Sequence, residues 1–254
     1  MALHATYFGA NGWLLEFGPL RVLVDPWLRG PLVFPPGAWM FHAERTAEQD
    51  VPGGLDLLLL TQGLPDHCHA PSLELLDRAL PVVGSASAAE RVRQLGFAHV
   101  TALAPGERHD LGDLRITATA GAPVPRVENG YLLEHPEGRL YLEPHGFLPD
   151  DLRVPPVDAV ISPVVDLGLP LLGPFVRGRQ VLPLLLDRLR PATVLASTTG
   201  GEVRYGGVLA SLIRGSGSLA EAQALTADAA CRFVDPVPGR RYVLAEGGGT
   251  RIRG

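Results

Sequence analysis

Cysteine is almost absent from this chain: Cys68 and Cys231 are the only two among 254 residues. No disulfide framework can hold the fold, and a reduced, cytoplasmic setting is the simplest fit. Apolar stretches stop well short of the roughly 20 residues that cross a bilayer, so no membrane partner is expected. The opening Met1-Ala2-Leu3-His4-Ala5-Thr6 lacks the basic and apolar regions of a secretory signal. A basic surplus is missing too. The net charge is −5 and the pI about 5.9, which gives no general attraction to nucleic acid or anionic lipid. Two catalytic devices are also lacking: no strand leads into a glycine-rich phosphate loop, and no Gly-x-Ser-x-Gly elbow joins a strand to a helix.

What is present is enough apolar material for a core. Hydrophobic residues make up 46% of the chain, so a full interior can be buried without staples. The 30 glycines and 24 prolines punctuate apolar runs, which points to many turns rather than disorder. Short strands are predicted at 5–8, 13–17 and 20–26, the first two joined by the turn Gly9-Ala10-Asn11-Gly12. Residues 28–54 read as a Pro- and Gly-rich loop, with Trp27, Phe34, Trp39 and Phe41 covering one face. The run 55–60 is continuously apolar, as expected of a strand buried on both faces. Helices are predicted from Pro71 to Asp77, near 86–95, at 179–189, near 205–213 and at 218–228. Further strands fall near 81–83, 99–103, 107–111, 113–120, 129–134, 139–143, 157–162, 192–197 and 242–245. This order suits a mixed α/β (α+β) fold: two mixed sheets face to face with helices outside. No linker interrupts it, so residues 1–246 read as one domain and 247–254 as a flexible tail.

Chemistry-bearing residues gather at strand ends. Asp66 and His67 follow strand 55–60, and a rigid strand-to-helix turn holds side chains within the narrow geometry that metal sites need. A carboxylate with an imidazole suits Zn, Mn or Fe. His69, two positions on, is a further candidate. The bland reading gives Asp66 turn or capping hydrogen bonds and makes His67 a hydrogen-bonded loop residue. Glu143-Pro144-His145-Gly146 ends a second apolar strand, and its Glu and His are candidate ligands or general bases. A structural hydrogen bond is the plainer role for His145. Asp25 ends a third strand, where it orders the site through hydrogen bonds or simply starts a turn. Ser197-Thr198-Thr199 follows a strand and offers hydroxyls and amides. His135, in a tight hairpin, is expected to be exposed. His4, His42, His99 and His109 carry no pattern that fixes a role.

Taken together these segments resemble the metallo-β-lactamase superfamily, over nearly the whole chain from Tyr7 to the strand at 192–197. Within it the likeness is to a divergent branch similar to ascorbate-6-phosphate lactonase-like proteins. Gln62-Gly63-Leu64-Pro65-Asp66-His67 stands where the family carries His-x-His-x-Asp-His, and Glu128-Asn129-Gly130-Tyr131 and Glu143-Pro144-His145 match the divergent pattern. The resemblance implies a four-layer αββα sandwich with its site along one edge of the two sheets. It also implies a depleted metal centre. Gln62 and Leu64 replace the two histidines of the first metal, while Asp66 and His67 keep the pair of the second. The family's bridging Asp falls on or near His145, 120–125 offer no histidine, and Ser197, Thr198 and Thr199 stand where the last one is due.

Two functions follow. One is a hydrolase holding one Zn, Mn or Fe ion through Asp66, His67 and His145, helped by Glu143 or His69, and acting on a small ester, lactone or phosphodiester. The other is a pseudoenzyme or small-molecule binding module in which the same side chains form a closed polar network. A nucleophile at Ser197 or Thr198 with His145 as base is supported by no motif. The substrate and oligomeric state cannot be read from the sequence.

Overall fold

The computed structural model describes residues 2–123, 127–197 and 203–246; the expected tail at 247–254 lies outside them. The first half contains β1 (Ala2–Gly9), β2 (Gly12–Phe17), β3 (Leu20–Val24), β4 (Leu32–Val33), β5 (His42–Arg45) and β6 (Leu57–Leu60). Helix α1 (Ala70–Leu73), β7 (Val82–Gly84), helix α2 (Ala86–Gln94) and β8 (Val100–Ala102) complete it. The second half opens with β9 (Arg108–Leu111), β10 (Leu114–Pro123), β11 (Val127–His135), β12 (Gly138–Leu142) and β13 (Ala159–Ser162). A hairpin, β14 (Asp166–Leu169) and β15 (Gly173–Arg177), precedes helix α3 (Gly178–Leu189) and β16 (Thr193–Ala196). The chain ends in β17 (Val203–Gly206), helix α4 (Val208–Leu212), β18 (Arg214–Ser216), helix α5 (Leu219–Asp228), β19 (Arg232–Val234) and β20 (Arg241–Glu246).

Among the described residues these strands build two seven-stranded sheets, ordered β20-β1-β2-β3-β6-β7-β8 and β19-β16-β13-β12-β11-β10-β9. Each begins as an antiparallel meander and continues in parallel through crossovers. Alternation along the strands explains the layering. Leu57 and Leu59 enter the core between the sheets, while Leu58 and Leu60 pack under α1 and α2. In the second sheet Leu140 and Leu142 point inward, and Tyr141, Val160 and Val194 meet α3 and α5. Each buried Leu contributes roughly 1.5–3 kcal/mol, so an all-leucine strand is held from both faces. The result is the four-layer αββα sandwich.

Two small sheets, β15-β14-β18 and β17-β5-β4, lie outside the main pair. The structure corrects the sequence reading in three places. Residues 28–54 are not wholly loop, since β4 and β5 pair there with β17. The helix expected near 205–213 splits into β17 and the short α4, because Gly207 takes φ +91° against the backbone of Met40, where a helix cannot continue. The helix expected from Pro71 to Asp77 shortens to α1, after which Leu75 and Leu76 bond back only three residues, to Ser72 and Leu73. Among the described residues no helix is long and apolar enough to cross a membrane.

Candidate functional site

The parallel strands β3, β6 and β12 place Asp25, Thr61-Gln62 and Glu143 at their C-terminal ends, along one edge of the sandwich. The two sheets are tied at that edge. Tyr131 Oη donates to the Leu60 carbonyl at 2.9 Å, Asn129 Nδ2 donates to Leu103 O at 2.8 Å, and the Asn129 amide donates to Thr61 O at 3.2 Å. The Glu128-Asn129-Gly130-Tyr131 segment therefore has a structural task. Its Glu128 accepts from the hydroxyls of Ser85 and Ser87.

The loop after β6 folds into a tight turn, with Leu64 O accepting from the His67 amide at 3.0 Å and Pro65 at the second position. Gly63 is required there, because a Cβ would stand 2.7 Å from the Ser87 carbonyl. This turn buries His67 fully and points it at Asp25. His67 Nδ1 lies 2.7 Å from Asp25 Oδ2, and Thr61 holds the same carboxylate through its amide (2.8 Å) and hydroxyl (2.5 Å). The other ring nitrogen, Nε2, lies 3.2 Å from Asp66 Oδ2 and 3.1 Å from the side-chain amide of Asn11. Burial alone would strip the proton from His67. The flanking carboxylates of Asp66 and Asp25 outweigh it and push the pKa up to about 10, so the ring is an imidazolium at neutral pH. Burial likewise opposes charge on Asp66, but the charge and hydrogen bond of His67 hold its carboxylate below the usual range.

His145 comes to the same edge from the second sheet, its ring centroid 5.2 Å from that of His67. Gln62 Nε2 lies 3.2 Å from its Nε2 and 3.4 Å from its Nδ1. Burial, then the charge on His67, lowers its pKa to about 4, so this second imidazole is neutral.

Two expected site residues point elsewhere. Glu143 is buried, and its carboxylate serves its own turn, with Oε2 accepting the amides of His145 (3.0 Å) and Phe147 (2.6 Å) and Oε1 that of Ala122 (3.4 Å). Burial pushes its pKa up to about 7. His69 sits at the start of α1, with Nδ1 2.9 Å from Ser72 Oγ and Nε2 3.1 Å from Pro31 O, so both ring nitrogens are used in the scaffold. Ser197 is buried at the end of β16, and Thr198 lies outside the described residues. His135 is half-buried rather than exposed; it accepts the Glu137 amide and leans on Phe17.

Asn11 and Thr61 were not singled out by the sequence. Asn11 reads as plain turn chemistry, and only the pairing of β1, β2 and β3 shows that its turn borders the edge where Asp25 ends. The sequence also hides a cavity of about 470 Å³ above Asp66 and His145. Its walls come from the small sheets: Leu32, Phe34 and Phe41 on one side, Leu167 and Phe175 on another, Tyr205 and α4 on a third.

This is the fold of a family of hydrolase-like proteins. The chain belongs to the metallo-β-lactamase superfamily, and the family model described as the beta-lactamase superfamily domain matches residues 4–197. That match does not single out the ascorbate-6-phosphate lactonase-like branch. No curated protein matches the sequence. Among solved structures, the chain is similar to Igni18, a metallo hydrolase from the archaeon Ignicoccus hospitalis, with 16% identity, TM-score 0.67, and 96% and 98% of the two chains covered. It is similar to an isothiocyanate hydrolase from Delia radicum gut bacteria, with 16% identity, TM-score 0.65, and 96% and 99% covered. It also matches about half (54%) of CmlA, a diiron β-hydroxylase from Streptomyces venezuelae, with 17% identity, TM-score 0.63 and 96% of this chain covered. At these identities the likeness shows the fold alone.

The residues here do not fit a metal as the family holds one. Among the described residues no three His, Cys, Asp or Glu side chains form a group that could hold a metal ion. Glu143 and His69 spend their donor atoms on the scaffold, Gln62 stands against His145, and Leu64 carries no donor. Asp66 remains next to His67 at 3.2 Å, and the other ring nitrogen of His67 is taken by Asp25 at 2.7 Å.

Proposed function

We propose that this chain binds a small, largely apolar molecule in the 470 Å³ cavity, with Asp66 and His145 meeting the polar end of that ligand. The observation that carries the reading is the cavity itself. It has the size and apolar lining of a small-molecule site, with a few polar groups converging at its floor. The family around it consists of hydrolase-like proteins, and the site keeps their position while its donors are turned to hydrogen bonds. Two buried free cysteines suit a reducing, cytoplasmic compartment.

One observation favours a second reading. His67 is backed by Asp25 on Nδ1 and faces Asp66 with Nε2, the arrangement of a ligating histidine oriented by a carboxylate. On that reading one Zn, Mn or Fe ion supports cleavage of a small ester or lactone. A phosphodiester fits less well, because among the described residues no Arg lines the cavity and the chain has no Lys.

A thermal-shift titration with 1-naphthol, with and without a chelator, separates the two. Binding predicts a concentration-dependent rise in Tm that survives chelation and disappears in Ile213→Trp, which fills the cavity. About one bound metal per chain after reloading, with chelator-sensitive esterase or lactonase activity lost in His67→Ala, would overturn the binding reading in favour of the hydrolase.

A further inference from the structure

Resting on that binding reading, we infer that the ligand carries a cationic amine, an ammonium group seated on Asp66 beneath an aromatic wall.

The floor of the cavity holds a carboxylate. Asp66 lines it with its side chain 26% exposed, and Oδ2 lies 3.2 Å from His67 Nε2. Asn11, only 6% exposed, lines the cavity as well. A carboxylate among apolar walls favours a ligand that brings it a donor. An ionised acceptor asks for a charged donor most of all.

The surrounding charges agree. His67 stands between two carboxylates, Asp25 at 2.7 Å and Asp66 at 3.2 Å, so it is shared between them. The chain has 22 basic residues, all arginine, and among the described residues none lines the cavity. Arg45, behind the lining residue Trp27, is spent on the scaffold: it donates to the Trp27 carbonyl at 2.7 Å and to that of Phe8, and its guanidinium lies 5.3 Å from the Trp27 ring.

The wall above Asp66 suits a cation as well. Phe34 and Phe41 meet edge to face at 5.3 Å, and Phe41 and Tyr205 lie 6.1 Å apart, so three rings adjoin one another in the lining. Tyr205 stands near enough to feel the charge of Asp66. Ring faces and a carboxylate together attract an ammonium ion, while the rest of the lining accepts its hydrocarbon part.

The test compares three probes of one shape by calorimetry on the purified full chain: 3-phenylpropylamine, 3-phenylpropan-1-ol and 3-phenylpropanoate. The amine is expected to bind at least about tenfold tighter than the alcohol, the ratio of an ordinary charge-assisted hydrogen bond, with the carboxylate weakest. Asp66→Asn should bring the amine to the level of the alcohol. Tyr205→Leu, at an exposed ring, should narrow the same gap while the alcohol still binds. If the alcohol or the carboxylate equals the amine on the wild-type protein, the amine inference fails and the binding reading stands. If no probe binds at millimolar concentration, both fail. The wild-type ranking decides even where a variant does not fold.

Discussion

At the scale of single residues, the site edge shows how one residue type takes opposite roles. Asp66 and Glu143 both follow apolar strands and both read as ligands or bases in the sequence. Asp66 faces the cavity, whereas Glu143 turns back onto three amides of its own neighbourhood, and Gly130 leaves it room, since a Cβ there would stand 3.1 Å from Glu143 Cγ. Residue type at a strand end was legible; side-chain direction was not, because it depends on the turn that follows. His69 misled for the same reason, since its neighbours Pro31 and Ser72 are brought to it only by the fold. Glu143→Ala should destabilise the protein by about 2–4 kcal/mol in urea unfolding, because it orphans buried N–H groups. The pH dependence has a definite sign. With a folded pKa near 7 against an ordinary 4.5, the native state holds the proton longer than the unfolded chain. Wild-type stability should therefore fall, relative to Glu143→Gln, as pH rises from about 4.5 to 7, and level off above that. A difference between the two proteins that stays flat across this range would show that Glu143 remains ionised throughout.

Among the elements, the buried strands were the most readable and the segments after them the least. Four consecutive leucines leave β6 no arrangement but one covered on both faces, and its position between β3 and β7 follows. By contrast the hairpin β14–β15 carries no turn signal strong enough to announce it. Its position is fixed by a distant glycine. Gly146 takes φ +71°, and a Cβ there would lie 2.6 Å from the backbone of Arg177 and Gly178, at the junction of β15 and α3. The Arg177 amide also donates to the His145 carbonyl at 2.8 Å, so the hairpin is stitched directly to the site turn. Gly146→Ala adds a methyl against backbone in a left-handed conformation, where no flexible side chain can yield. It should cost about 1–3 kcal/mol and weaken ligand binding in the cavity, read by Tm and calorimetry on one sample. Unchanged binding at lowered Tm would show that the hairpin does not position the cavity wall.

For the molecule as a whole, the sandwich was legible because alternating apolar strands separated by helices leave few packings. The cavity was not, since its walls come from segments as far apart in sequence as residues 32 and 213. Its floor is shared between the two sheets, with Asp66 from one and His145 from the other, so the geometry of the site depends on how the sheets register. Apolar contact sets their distance but not their lateral position, because a packed leucine surface is nearly as content after a small slide. The polar staples at this edge are directional, and they are what fix that position: Tyr131 to Leu60, Asn129 to Leu103 and Thr61. Tyr131→Phe removes the first of them, and the Asn129 Nδ2 bond to Tyr131 Oη at 3.1 Å, while keeping the ring in the core. Leu60 O keeps the Ser85 amide at 3.2 Å and Asn129 Nδ2 keeps Leu103 O, so neither partner is stranded and the loss is that of two net hydrogen bonds, about 1–3 kcal/mol. In a chain of this size that corresponds to a fall in Tm of roughly 2–12 °C. If the staple sets register, affinity for the cavity probe should fall along with Tm, whereas a purely additive hydrogen bond would lower Tm and leave affinity unchanged.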